Sequence, residues 1–480
     1  MTPRFVRTSV LLIAVLVAAA CGQKPGVHDE NADALPEIII ETGVGGGGGS
    51  AVVSEGEGDT QTVTESGGGG GGGETSGGDA GAEASGGDEA TAGGGGGGGG
   101  GGSASITGSD RTGVSDDEIT LAVHAPVTGA APLPATAFEK ARDLYWRYVT
   151  EIKGEKVLGR SKVNVQFKDD KYTPNTAIQA CRELASSSFL LVGGGGTDQI
   201  QACGQFAEQA GVPYLSAGVT EAGLRGLNNY FATSMSYKQQ GPLLAAYVKK
   251  NFPGKKVGAI VTDTPNFDDA VAGWEDGVAK QGLDYFKTLR HPKGNSSWIT
   301  SFASDMSSAD VDVLFMLTAP TDYIQFAQQS ASQGYKPQFV GVGISMGLNA
   351  LFSAGCPDID GGIFFSPFTG LDYARTNISE FIDAGKQLGV PTDDIALALW
   401  GQAKAQHEMF KRYETTYGST DLTREDFVKM LGTQEGIKTD VVPQLSYTPD
   451  NHFGASQVHV LQADCASSEH KTLASFASGF

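Results

Sequence analysis

From Asp117 onward the chain alternates short apolar stretches with longer amphipathic ones, and this alternation restricts the possible folds more than any other feature. Ile119 to Val123, Lys162 to Phe167, Leu190 to Gly193, Val212 to Leu215, Lys256 to Val261, Val311 to Leu317 and Phe339 to Val342 read as strands. Between or after them, Phe138 to Tyr148, Thr176 to Ala185, Gly241 to Lys250, Asp268 to Gln281, Tyr323 to Gln333 and Ala396 to Tyr413 read as helices. Strand, helix, strand at this spacing predicts an α/β fold of parallel sheets with right-handed crossovers. In such sheets ligands bind at the carboxyl ends of the strands, so the loops leading into the helices are where a site is expected.

The first 116 residues are a different polymer. Thirty of the chain's 69 glycines lie between residues 43 and 102, and the segment is otherwise mostly Ser, Thr, Ala, Asp and Glu. With so little apolar surface to bury it cannot offset its conformational entropy, which predicts a disordered tether over residues 22–116. Gly-rich chain statistics give such a segment a span of roughly 50 Å. Of the net charge of −21, more than half belongs to these residues. Neither part of the chain is basic, which excludes a phosphate-neutralising surface and with it nucleic-acid binding as the main function. The remaining 364 residues are long enough for two domains or one large α/β unit.

Arg4 and Arg7 precede an apolar run that ends at Cys21, too short to be a membrane anchor and of the form of an export signal. Ala18, Ala19 and Ala20 before Cys21 resemble a bacterial lipobox, with Ala18 where leucine is usual. The expectation is a lipid on Cys21 and residues 1–21 as signal peptide, placing the mature chain on the outer face of the cytoplasmic membrane. Four further cysteines allow three pairings. Cys181 and Cys203 fall on consecutive helices flanking one strand, which favours that pair and leaves Cys356 with Cys465. No C-x-x-C spacing occurs and the seven histidines are scattered, so no metal and no cofactor are expected.

The loop from Val192 to Gln199 places Gly193 to Gly196 between a strand and a helix. Four glycines let successive N–H groups face one point, and the helix terminus adds partial positive charge, a cradle suited to a carboxylate. It lacks the endings of nucleotide-binding loops. The next strand end offers Ser216, Gly218 and Thr220 as further donors around the same anion.

The stretches GVSDDEITLAVHAPVTGAAPLPATAFEKARDLYWRYV, FKDDKYTPNTAIQACREL, LVGGGGTDQIQACGQFAEQAGVPYLSAGVT and MSYKQQGP, with KKVGAIVTDTPNFDDA, VDVLFMLTAPTDYIQFAQQSASQGYKP, FVGVGIS and GGIFFSPFTG, carry a resemblance over nearly all of residues 113–465. In their order and spacing they resemble the type I periplasmic binding proteins, and within these the Leu/Ile/Val-binding branch that serves ABC importers. The resemblance implies two Rossmann-like lobes joined by three crossing strands, closing on a small solute by hinge motion. Crossings are expected near Tyr237, Phe365 to Phe368 and Val442. That gives a first lobe of residues 117–237 and 368–442 and a second of 238–367 and 443–480. It also implies an ABC permease as partner and no enzymatic step.

By resemblance the ligand's carboxylate meets Thr197, Gly218 and Thr220. Asp198 adjoins them. A family tyrosine corresponds to Phe267, a first-lobe aromatic to Leu133, and the acidic residue that pairs with a ligand ammonium falls at about Gly343. Asp263, Asp268 or Asp198 is left to replace that carboxylate. Its loss favours an apolar carboxylate or an amide as solute beside an α-amino acid. Tyr323 and Trp400 are further candidate contacts. Two other classes fit parts of the pattern. Gly343-Ile344-Ser345-Met346-Gly347 matches the nucleophile elbow of serine hydrolases, with His407, His452, His459 and His470 downstream. A receptor lipoprotein would use the same clamshell to signal.

Overall fold

The computed structural model describes residues 104–343 and 348–480. Cys21, the glycine-rich segment before residue 104 and Ser345 lie outside them. Five strands, β1 (Glu118–Ala125), β2 (Lys162–Asp169), β3 (Leu191–Gly193), β4 (Tyr214–Ser216) and β5 (Tyr230–Ala232), form a parallel sheet in the order β2-β1-β3-β4-β5. Seven more form a second sheet: β6 (Val257–Thr262), β7 (Tyr285–His291), β8 (Val313–Leu317), β9 (Gln338–Val342), β10 (Ile363–Ser366), β11 (Val458–Asp464) and β12 (Glu469–Ala477). Their order is β12-β11-β10-β9-β8-β6-β7, parallel from β10 to β7. The last two strands are an antiparallel hairpin added to β10, so this sheet is mixed, which the wholly parallel expectation missed.

The helices of the first sheet are α1 (Ala135–Ala141), α2 (Leu144–Arg147), α3 (Pro174–Ala185) and α4 (Thr197–Ala210). Those following it are α5 (Tyr237–Asn251), α6 (Asp268–Gln281), α7 (Ile299–Ser308), α8 (Pro320–Ser332), α9 (Phe352–Gly355), α10 (Leu371–Asn377), α11 (Ser379–Leu388), α12 (Asp394–Tyr417) and α13 (Arg424–Leu431). Helices α3 and α4 pack together and are joined by the Cys181–Cys203 disulfide, Cα atoms 6.0 Å apart. The Cys356–Cys465 disulfide ties the turn after α9 to the end of β11, Cα atoms 5.7 Å apart. Helices α5 and α6 approach unusually closely, because Gly241 and Gly273 face each other's neighbours. A Cβ on Gly273 would stand 2.3 Å from the Lys238 carbonyl oxygen.

The chain passes between the sheets three times. The first passage, after β5, runs through residues 233–236 and ends in a capping box at Ser236 and Gln239 that starts α5. The second and third lie later than residues 368 and 442. Helix α10 is still bound to the second sheet, where Asp372 accepts hydrogen bonds from the Thr472 amide (2.9 Å) and hydroxyl (2.7 Å), whereas the next helix, α11, packs on α2. Likewise residues 445–455 remain on the first lobe, with Phe453 bridged to Ala232 and the Ala232 amide bonded to the His452 carbonyl at 2.9 Å. Both positions, which the resemblance put near 365–368 and 442, are set by hydrogen bonds between segments remote in sequence.

Candidate functional site

The loop after β3 divides its four glycines between two tasks. At Gly193 a Cβ would lie 2.3 Å from the Tyr214 hydroxyl, and the Gly194 amide donates to the His124 carbonyl at 2.7 Å. Beneath them His124 sits between Asp170 (2.8 Å) and the Tyr214 hydroxyl (2.8 Å), all buried. These two glycines therefore serve packing, and the cradle is shorter than the expected four residues. Gly196, at φ +77°, turns the chain into α4, and Ile200 is the first amide to bond back, to the Gly196 carbonyl at 2.9 Å. The amides of Thr197, Asp198 and Gln199 thus head the helix without intrahelical partners, and its dipole favours negative charge there.

Gly195, Gly196 and Thr197 open onto a cavity between the lobes that contains about 1200 Å³ of space not filled by atoms, its mouth included. Pro126 and Leu133 close it from the first lobe, Phe267, Leu317 and Pro320 from the second, and Pro367 and Phe368 from the segment directly after β10. One face of α12 supplies Leu399 and Gln402. No charged side chain lines it among the described residues; its polar groups are hydroxyls of Tyr172, Thr197, Thr318 and Tyr237, the Gln402 amide and backbone. Burial pushes the Tyr237 phenol up to about 12.

A polar annex adjoins this cavity and shares Tyr172, Thr197, Phe267 and Ala319 with it. Here Asp198 of α4 is held across the cleft by the Lys293 ammonium at 2.7 Å and the Asn266 amide at 2.6 Å, both from the second lobe. Lys293 Nζ also sits 4.2 Å from the centre of the Tyr172 ring. Asp322, at the start of α8, faces the annex, and burial raises its carboxyl to about 6.

The sequence candidates separate cleanly. Thr197, Leu133 and Phe267 line the cavity, and Asp198 lines the annex. Gly218 and Thr220 do not: the Gly218 amide donates to Ser234 Oγ at 2.8 Å, and a Cβ there would meet the Ser234 carbonyl at 2.4 Å. The fully buried Thr220 hydroxyl donates to Asp269 at 3.2 Å and accepts from the Ala222 amide at 3.0 Å, so neither residue has a donor left for a ligand. Tyr323 is a core residue of the second lobe, packed against Phe339 and Phe364, and Trp400 packs on Tyr145 and Phe381. Gly343, at φ +93°, lies against the Tyr237 ring, where a Cβ would stand 2.7 Å away. Asp263 and Asp268 are exposed partners of Arg290 and do not reach the cavity. Of the histidines a hydrolase would use, His407 pairs with the Tyr145 hydroxyl at 2.8 Å, His452 caps carbonyls of Leu227 and Tyr230, and His459 and His470 are buried.

Sequence reasoning missed Tyr172, Gln402 and Lys293. In the structure Tyr172 and Lys171 adopt left-handed φ of +58° and +53° just after β2, a strained turn of the kind found at binding sites.

The model of a family described as periplasmic binding protein matches residues 118–470. The chain belongs to the periplasmic binding protein family. Among its relatives, Leu/Ile/Val-binding protein homolog 7 of Brucella abortus (strain 2308) is 26% identical over 275 residues, 54% of this chain and 68% of that one. Homolog 3 of Brucella melitensis is 25% identical over 205 residues, 41% of this chain and 54% of that one. In three dimensions this binding protein superposes on a fatty acid ABC transporter substrate-binding protein from Thermomonospora curvata with TM-score 0.65 at 18% identity, covering 78% of this chain and 95% of that one. A branched-chain amino acid ABC transporter protein from Thermus thermophilus with bound valine gives TM-score 0.61 at 15% identity, covering 76% and 98%. These solved structures share its two-lobed α/β fold.

Proposed function

We propose that the protein is the lipid-anchored, extracytoplasmic solute-binding component of an ABC importer and that its solute is an apolar monocarboxylate. The observation that carries this is the cavity itself: apolar walls, no charged side chain among the described residues, and one electropositive end at the start of α4. A carboxylate accepting from the amides of Gly196 to Asp198 is stabilised by the helix terminus, and an alkyl or aromatic remainder fits the wall from Leu133 to Phe267. The fatty acid-binding protein among the structural neighbours supports the same class. Cys21 supplies the membrane tether, the permease takes the solute, and no bond is made or broken in the cleft.

A second reading has one observation in its favour. Asp322 is a carboxylate in the annex without an ionic partner among the described residues, and the ammonium of an α-amino acid placed there would restore the ionised form that burial disfavours. A thermal-shift panel on the full chain decides between them. Octanoate, phenylacetate and isovalerate stabilise the chain under the first reading, and Asp322→Asn leaves these shifts intact. Stabilisation by leucine or valine alone, abolished in Asp322→Asn, selects the second.

A further inference from the structure

Adjoining the main cavity is a second, smaller pocket lined by first-lobe residues, with about 280 Å³ of space not filled by atoms, its opening to solvent included. Its walls are Leu121 and Val123 of β1, Val165 of β2 and Trp146 of α2, with Arg142 and Gln406 at the rim. The two cavities share three residues, Val192, Leu399 and Gln402, which together make the partition between them. Val192 is fixed in β3 by its pairing with Val123 and Leu215, so its position is not adjustable. Leu399 and Gln402 stand three apart on α12, on one face of the helix.

Gln402 is an odd residue for an apolar partition. Its Nε2 donates to Thr233 Oγ1 at 2.7 Å, while its Oε1 is buried with no hydrogen-bond partner. A stranded carbonyl is destabilising, and an aliphatic side chain of the same size would avoid the penalty. Swinging the amide aside breaks one hydrogen bond only, because Thr233 keeps its own bond to the Ser216 carbonyl at 2.9 Å. Thr233 belongs to the first passage between the lobes, so the side chain that partitions the cavities is fastened to the hinge.

We propose that Gln402 is a specificity-determining residue that limits the length of solute the cleft accepts, by separating the main cavity from an apolar extension bounded by Leu121, Val123, Trp146 and Val165. This rests on the monocarboxylate reading above. With the carboxylate at α4, the solute's tail runs toward α12 and stops at Gln402. Removing that side chain joins the two spaces and opens room for further methylenes.

The test is a series of straight-chain saturated acids from butanoate to hexadecanoate, measured by calorimetry on the full chain, its Gln402→Ala variant and its Gln402→Leu variant. Each methylene that finds apolar wall improves affinity about fourfold. In the native chain this gain ends at one length. In Gln402→Ala it continues for at least two more methylenes, about fifteenfold beyond the native limit, and in Gln402→Leu, which refills the space, the native limit returns. Comparing acids within one variant cancels any general loss of stability. The same limit in all three proteins overturns the role of Gln402 while leaving the monocarboxylate reading standing. A Gln402→Leu limit shifted as far as that of Gln402→Ala also overturns it, since bulk would then not be the barrier. Failure of every acid to bind the native chain and both variants removes the reading on which the proposal rests.

Discussion

The contact between Asp198 and Lys293 spans the cleft without touching its apolar part, so it is expected to tune closure independently of solute chemistry. The Asp198 side chain is 18% exposed and that of Lys293 32%, a partly dried pair. Exposed pairs contribute about 0–1 kcal/mol, while a hydrogen bond to a charged group contributes about 1.5–3. Intermediate exposure places this pair near 1–2 kcal/mol, to which the ammonium over the Tyr172 ring adds about 0.5. Lys293→Met removes these terms while keeping the aliphatic stem. If the solute binds tightly only in the closed form, apparent affinity for octanoate falls by a factor of about 13 to 70. Calorimetry on the native chain, Lys293→Met, Asp198→Asn and the double variant measures it, and the two single changes should be strongly non-additive. Affinities unchanged within twofold, or two independent losses that simply add, would refute the idea of a cross-cleft latch.

Two further outcomes follow from individual side chains. Phe267 covers both the cavity and the annex, and Phe267→Ala is expected to weaken binding of an apolar acid by about 1–3 kcal/mol, read by calorimetry, with little change in the melting temperature of the empty protein. An unchanged dissociation constant places the ring outside the contact. Asp394, buried at the start of α12 beside Asp393, has its carboxyl pushed up to about 7, mainly by burial, although the Asn349 and Ile395 amides donate to it. Between about pH 4 and 7 the folded chain holds a proton that the unfolded chain has released, so this group makes stability fall as pH rises through that window. Asp394→Asn should remove that slope. Melting curves of the two proteins that run parallel from pH 4 to 8 would contradict it.

The alternation of strands and helices was legible because parallel strands such as β6 and β8, buried on both faces, are continuous apolar runs. Strands β7 and β12 were not, because they are half-exposed edges with mixed sequences, YFKTLRH and EHKTLASFA. The site divides along the same line. The Gly195 to Thr197 turn is written in consecutive residues and could be read directly. Gln402 and Lys293 reach the cleft from segments remote in sequence, and nothing beside them in the chain marks them. Thr220 shows the converse error: its hydroxyl was assigned to a ligand, but Asp269, 49 residues away, had already claimed it.

A cavity with apolar walls, one helix terminus and no charged side chain among the described residues should select acids over α-amino acids. Calorimetry of the full chain with 4-methylpentanoate and with leucine tests it most directly, since the two differ only by the ammonium group. The acid is expected to bind the more tightly, with a negative heat-capacity change from apolar burial, and Asp322→Asn to leave it unaffected. Tighter binding of leucine, lost on that substitution, would contradict it.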